Sequence, residues 1–273
     1  MNEGFFEADG LKLFTRSWLP QTGAVGVVVI VHGFKSHSGL YGWVAQGLVE
    51  RRLAVHALDL RGHGKSDGER FYVEHFSDYV SDVAQLVSQA KERHPGLPVF
   101  LLGHSAGGVI SCLYALEQQH QLAGLICESF AHQVPAPDIA LTLLKGLSHV
   151  APHAHVLNLK DEDFSRDPAF VERMKADPLI VHTPGASQTI AEMIRADERL
   201  KRDFPLITLP VLILHGTADR ATLPQGSQRF YDTAGSVDKT LKLYEGHYHD
   251  LLNDLDKERV MADIIEWLTA RLR

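Results

Sequence analysis

Val99-Phe100-Leu101-Leu102-Gly103-His104-Ser105-Ala106-Gly107-Gly108 is the stretch whose reading decides the fold. Its first four residues form a short apolar run suited to a strand buried on both faces, and Ala106 to Gln118 has the spacing of a helix. Between them, Gly103, Ser105 and Gly107 match G-x-S-x-G. Short patterns of this kind recur by chance; the position between a strand and a helix is what gives this one weight. A serine at so tight a turn takes a strained backbone conformation and projects its hydroxyl outward. The small residues Gly103, Gly107 and Gly108 leave room for that turn. The helix that follows aims its first amides at any negative charge developing beside the hydroxyl. A plain serine N-cap with glycines for close helix packing would also explain the glycines, but not the ordered partners found downstream.

Working outward, Gly4 to Pro20 alternates and turns at Asp9-Gly10, as a β-hairpin does. Val25–Val31 and Leu53–Leu58 are buried-strand runs, Tyr41–Arg51 and Phe76–Arg93 have helical spacing, and Leu122–Cys127 is a further strand. Strands alternating with helices at this rhythm imply right-handed βαβ units: an α/β fold with a mostly parallel, doubly wound sheet. The rhythm breaks after Phe130. From His132 to about Arg195 there are helical patches but no convincing strand, with prolines from Pro135 and Pro137 to Pro184. Strand and helix then resume at Val211–Leu214, Gln225–Thr233, Lys239–Tyr244 and Val260–Leu272. The expectation is a core of residues 1–131 and 196–273 carrying a helical cap, 132–195, over the strand ends where open α/β sheets hold their ligands.

A hydroxyl becomes a useful nucleophile when a base removes its proton, and position must choose among sixteen histidines. The arrangement resembles that of α/β-hydrolases, in which nucleophile, acid and histidine follow in that order, each beyond a strand. Asp219, in the loop after Val211–Leu214, is the acid that this order selects, ahead of Glu128 and Glu245. His247 and His249 follow the next strand and compete. His249 is preferred because Asp250-Leu251-Leu252 reads as a helix start that would fix its backbone. The backbone N–H groups of Phe34 and Ala106 are the expected oxyanion donors, while His32, His63 and His104 read as structural. Asp59 to Ser66 ends like a phosphate-binding loop but lacks its first glycine, and neither His247-x-His249 nor His153-x-His155 has further ligands at metal spacing. No metal and no cofactor is expected.

With 273 residues, 45% of them hydrophobic, the chain can build a core without disulfides or metals. The net charge of −7 and the absence of a basic run argue against nucleic-acid binding. Cys112 and Cys127 read as buried free thiols. The first residues lack a basic and then apolar leader, so the expected location is the cytoplasm.

Together, His32-Gly33-Phe34, Asp59-Leu60-Arg61-Gly62-His63-Gly64-Lys65-Ser66-Asp67-Gly68, Leu97 to Gly108, Pro210 to Asp219 and Tyr244-Glu245-Gly246-His247-Tyr248-His249 resemble the monoacylglycerol lipase and lysophospholipase branch of the α/β-hydrolase superfamily, nearly end to end. The resemblance implies an α/β-hydrolase fold, a triad of Ser105, Asp219 and His249, and hydrolysis of a small-molecule acyl ester through an acyl-enzyme. It departs from the family's pattern at Ala106, where methionine is common, and at Ser36 and Leu40, where a glutamate and an arginine often stand near the head-group end of the pocket. The apolar stretch Ile139 to Val150 suggests a helix packed on the body, part of which lines an acyl tunnel or touches a lipid surface transiently. Thioesterase, peptidase and acyl-transfer chemistry suit the same triad, and a ligand-binding protein on a retained scaffold is the reading from another class.

Overall fold

In a computed structural model, which describes residues 1–134 and 138–272, each expected element except the helix start at Asp250 is present, with its ends shifted by a few residues at most; Pro135 and Pro137 lie outside the described residues. The strands are β1 (Asn2–Ala8), β2 (Leu11–Trp18), β3 (Gly26–Val31), β4 (Leu53–Leu58), β5 (Val99–His104), β6 (Gly124–Glu128), β7 (His155–Leu157), β8 (Gly185–Ala186), β9 (Val211–Gly216) and β10 (Lys239–Tyr244). The α-helices are α1 (Gly42–Val49), α2 (Phe76–Arg93), α3 (Ala106–Gln118), α4 (Asp138–Ser148), α5 (Pro168–Ala176), α6 (Ser187–Asp203), α7 (Pro224–Thr233) and α8 (Lys257–Thr269). Eight strands form one sheet in the order β1-β2-β4-β3-β5-β6-β9-β10, antiparallel at β1/β2 and β2/β4 and parallel elsewhere. The hairpin turns at Asp9 and Gly10, both at positive φ (51° and 78°), the pairing a two-residue turn needs to follow the strand twist.

The apolar runs are continuous because both sheet faces are covered. Val27, Val29 and Val31 of β3 join Leu101 of β5 and Ile213 of β9 in a core beneath α2, α3 and α7. The alternate residues Val28, Ile30, Leu102 and Leu214 face a second core with α1 and α8. Chain order reverses direction across the sheet beside β5, which sets the end of β5 at the crevice.

Between β6 and β9 the chain forms α4, α5 and α6. It also contains a strand pair that the sequence did not announce, β7 antiparallel to β8. β8 has two residues, too few for any periodicity to register. The helix α6 runs unbroken across residue 195 to Asp203. This insertion has a small core of its own, Phe164, Phe170, Met174 and Ile180, against which Leu40 packs. Ile139 and Leu143 of α4, and Val150 just after it, point outward with at least 70% of their surface exposed. Among the described residues no helix is long and apolar enough to cross a membrane.

Leu101 is fully buried in the sheet while Leu206 lies on the surface. Leu101→Ala should cost about 2–5 kcal/mol and Leu206→Ala less than about 0.5 kcal/mol in urea unfolding. A similar loss at both positions would contradict the burial pattern described for β5.

Candidate active site

Strand β5 ends at His104 and α3 begins at Ala106, so a single residue, Ser105, turns the chain. Its φ of 55° and ψ of −120° are unfavourable for a side chain that is not glycine, a strain of about 1–3 kcal/mol. Tertiary bonds hold it there. The Ser105 N–H donates to the Glu128 carbonyl (2.9 Å), and the Ser105 carbonyl accepts from Gly108 (3.0 Å) and Ala131 (3.2 Å). Close backbone approach then explains the glycines: a Cβ on Gly107 would strike the carbonyl oxygens of Val31 and His32, and one on Gly103 would strike that of Gly107. A Cβ on Gly33 would sit 2.7 Å from the Ser105 Cβ, so the end of β3 and the Gly33-Phe34 turn lie directly against the serine.

Three buried histidines brace this arrangement, in line with their structural reading. His32 donates from Nδ1 to the Gly33 carbonyl (2.7 Å) and accepts at Nε2 from the Leu60 N–H (2.9 Å). Burial lowers its pKa to about 3, so the ring is neutral, with its tautomer set by those two bonds. His63, also lowered to about 3 by burial, donates to the Arg61 carbonyl and stacks on the Phe34 ring at 5.8 Å. His104, likewise lowered by burial, accepts at Nδ1 from the Tyr41 hydroxyl (3.0 Å). The Asp59–Ser66 segment serves the same loop: the Asp59 carboxylate accepts from the N–H groups of Ser38 (2.7 Å) and Lys65 (2.8 Å).

The structure brings Ser105, His249 and Asp219 together. The Ser105 hydroxyl donates to His249 Nε2 (2.8 Å), and His249 Nδ1 donates to Asp219 Oδ2 (2.8 Å). Burial alone would raise the Asp219 pKa, but His249 and His215 hold it well below the usual carboxylate range. The Thr222 hydroxyl (2.8 Å) and His215 Nε2 (3.0 Å) also reach Oδ2, and the N–H groups of Ala221 and Thr222 reach Oδ1 at 2.8 and 2.9 Å. Sequence reading missed these supports. The spacing Asp219-x-Ala221-Thr222 was the available signal, since an aspartate often bonds the N–H groups two and three residues on. His247 stays away from the serine and donates to the Glu245 carbonyl (3.2 Å).

The expected helix start at Asp250 is a correction: α8 begins at Lys257, and the chain after His249 is irregular. Its backbone is pinned by neighbours instead. The Asp250 N–H donates to the carbonyl of Phe164 (2.7 Å), and the Leu251 N–H donates to Glu128 Oε1 (2.7 Å). The Phe164 ring also packs nearly perpendicular to the His249 ring, centroids 5.2 Å apart. Nothing in the local sequence signals this contact. Among the described residues, His104, Glu128 and Asp250 are grouped as metal ligands would be. Burial pushes the Glu128 carboxyl well up and that of Asp250 up to about 6; Glu128 Oε1 accepts from the Leu251 N–H, and both oxygens of Asp250 accept from the Asn253 side-chain amide.

The arrangement can polarise a hydroxyl in a largely covered site, since Ser105 is 8% exposed. Because its backbone is strained, Ser105→Gly should raise unfolding stability by about 1 kcal/mol while removing the hydroxyl. A lower urea midpoint in that variant would argue that the turn is relaxed.

The sequence matches the family described as serine aminopeptidase, S33, over residues 22–256. It is 34% identical over 271 residues to a monoacylglycerol lipase of Mycolicibacterium smegmatis, covering 98% of this chain and 96% of that one. It is 36% identical to the monoglyceride lipase of Rattus norvegicus, covering 97% and 89%. The fold superposes on the crystal structure of the Paleococcus ferrophilus monoacylglycerol lipase with a TM-score of 0.86 at 30% identity, covering 95% and 99%. The chain thus belongs to the serine aminopeptidase S33 family of the α/β-hydrolase fold, as a carboxylic ester hydrolase of its monoacylglycerol lipase-like branch.

Proposed function

We propose that Ser105, His249 and Asp219 are the catalytic triad, that the N–H groups of Phe34 and Ala106 form the oxyanion hole, and that the substrates are esters with apolar acyl chains, monoacylglycerols among them. The observation that carries this reading is the unbroken relay from the Ser105 hydroxyl through His249 to Asp219, 2.8 Å at each step. As the Ser105 oxygen attacks the ester carbonyl, its proton passes to His249 Nε2, and Asp219 stabilises the imidazolium. The oxyanion forms beside the first amide of α3 and the turn after β3. Collapse expels the alcohol, which takes the proton from His249. Water then attacks the acyl-serine by the same route, releasing the acid and restoring the serine.

Residues 132–195 act as the cap in this reading. Ser105 is 8% and His249 1% exposed, so an ester reaches them when part of the cap shifts. The exposed apolar side chains of Ile139, Leu143 and Val150 suit transient contact with a lipid surface. Leu40, packed among Phe164, Phe170, Met174 and Ile180, makes the adjoining wall apolar. We therefore set the substrate class by its acyl chain rather than by glycerol. The two free thiols of Cys112 and Cys127 accord with a cytoplasmic setting.

A fluorophosphonate should label the wild-type protein and leave Ser105→Ala unlabelled; equal labelling of both would refute Ser105 as nucleophile. Asp219→Asn should lower kcat by about 10⁴-fold, through loss of the histidine tautomer that Ser105 needs. Across p-nitrophenyl esters of increasing length, kcat/KM should rise from acetyl to longer acyl chains, and a strict acetyl preference would remove the apolar acyl site.

A further inference from the structure

The loop that presents His249 has no helix behind it, yet a relay of 2.8 Å bonds needs its imidazole held closely in place. Three of its supports come from the sheet side: Glu128 takes the Leu251 N–H (2.7 Å), the Thr217 hydroxyl oxygen takes the Gly246 N–H (2.8 Å), and the Ala218 N–H donates to the His247 carbonyl (3.0 Å). A further set comes from one short stretch of the insertion, Phe164-Ser165-Arg166. The hub there is Asp254, whose carboxylate is wholly buried. Its Oδ1 accepts from the Arg166 N–H (2.6 Å) and the Ser165 hydroxyl (3.1 Å), and its Oδ2 from Arg166 Nε (2.8 Å) and the Tyr248 N–H (3.0 Å). Arg166 Nη2 adds a bond to the Leu255 carbonyl (2.8 Å). One residue before Arg166, the Ser165 hydroxyl also reaches the Asn253 carbonyl (3.0 Å), and Phe164 meets both the Asp250 N–H and the His249 ring.

We propose that Phe164–Arg166, locked to the loop by the Arg166–Asp254 pair, is a positioning element for His249, so that this part of the insertion sets turnover rather than substrate affinity. The proposal rests on His249 being the base, as read above. Asp254 joins the insertion directly to the residue next to His249, Tyr248, through a single carboxylate. Arg166 suits it because its guanidinium reaches Asp254 Oδ2 through Nε and the Leu255 carbonyl through Nη2 at once, a fork lysine cannot reproduce. An insertion fastened in this way cannot lift as one rigid body without releasing the histidine. Opening must leave residues 164–166 seated.

The test uses the full chain and a short chromogenic ester, with kcat, KM, the rate of fluorophosphonate labelling and Tm measured for each variant. The Arg166 side chain is a quarter exposed, so Arg166→Ala should fold. Its kcat and labelling rate should fall by about tenfold with KM within about twofold, as small displacements of a catalytic group require. Arg166→Lys should recover part of the loss, and Asp254→Asn should fall at least as far as Arg166→Ala. A folded Arg166→Ala with wild-type kcat, or with KM raised and kcat intact, would overturn the proposal. Ser105→Ala is the separating control. If it still labels, the active-site reading fails and the positioning role with it; if it is silent while Arg166→Ala matches wild type, only the positioning role is lost.

Discussion

The site is organised around one buried negative charge. Removing a carboxylate from water costs several kcal/mol unless donors replace the lost solvent, and the Asp219 side chain is wholly buried. Its two oxygens meet two backbone N–H groups, a threonine hydroxyl and two imidazoles. That set of donors dictates the loop after β9: the chain must fold back so that residues 221 and 222 aim their amides at residue 219, and His215 must leave the strand facing inward. The orientation of His249 follows from the same charge, because the nitrogen that bonds Asp219 is committed and the other is left for Ser105.

The surrounding acids behave in the opposite way. Glu128 and Asp250 group around His104 instead, and burial raises both carboxyls, with Asp250 adding to the rise at Glu128 and Asp254 to that at Asp250. Three ionised carboxylates there would repel one another in a poorly screened environment. The Asp219 carboxylate faces the His249 ring, and the other two acids have framework tasks: Glu128 takes the Leu251 N–H and Asp250 binds the Asn253 amide. Similar residues thus take different roles through the partners that reach them.

Much of this was legible in the residues. The apolar runs at Val27–Val31 and Val99–Leu102 could be read because burial on both faces leaves no polar alternation, and Gly103, Ser105 and Gly107 because steric limits at a turn are local. Asp219 and His249 could be placed by counting strands. The contacts of His215 and Thr222 were harder, since they depend on how one loop closes. Those of Phe164, Ser165 and Arg166 with the residues around His249 join positions more than eighty apart in the chain, where periodicity carries no information. The helix expected at Asp250 failed for a related reason. The apolar pair Leu251-Leu252 is buried, but the Asn253 and Leu255 carbonyls, which a helix would turn towards its own N–H groups, accept instead from Ser165 and Arg166.

The glycines of the turn at Ser105 answer to backbone oxygens rather than to a reaction: Gly107 to Val31 and His32, Gly103 to Gly107. A descendant of this chain that exchanged its serine and lost its chemistry would still have to keep both. A scan for those glycines would return the inert relative beside the active one. What would distinguish them, with Ser105, His249 and Asp219 as the proposed triad, is the polar lining around Asp219, which is costly to bury and has no reason to persist in a relative without that chemistry.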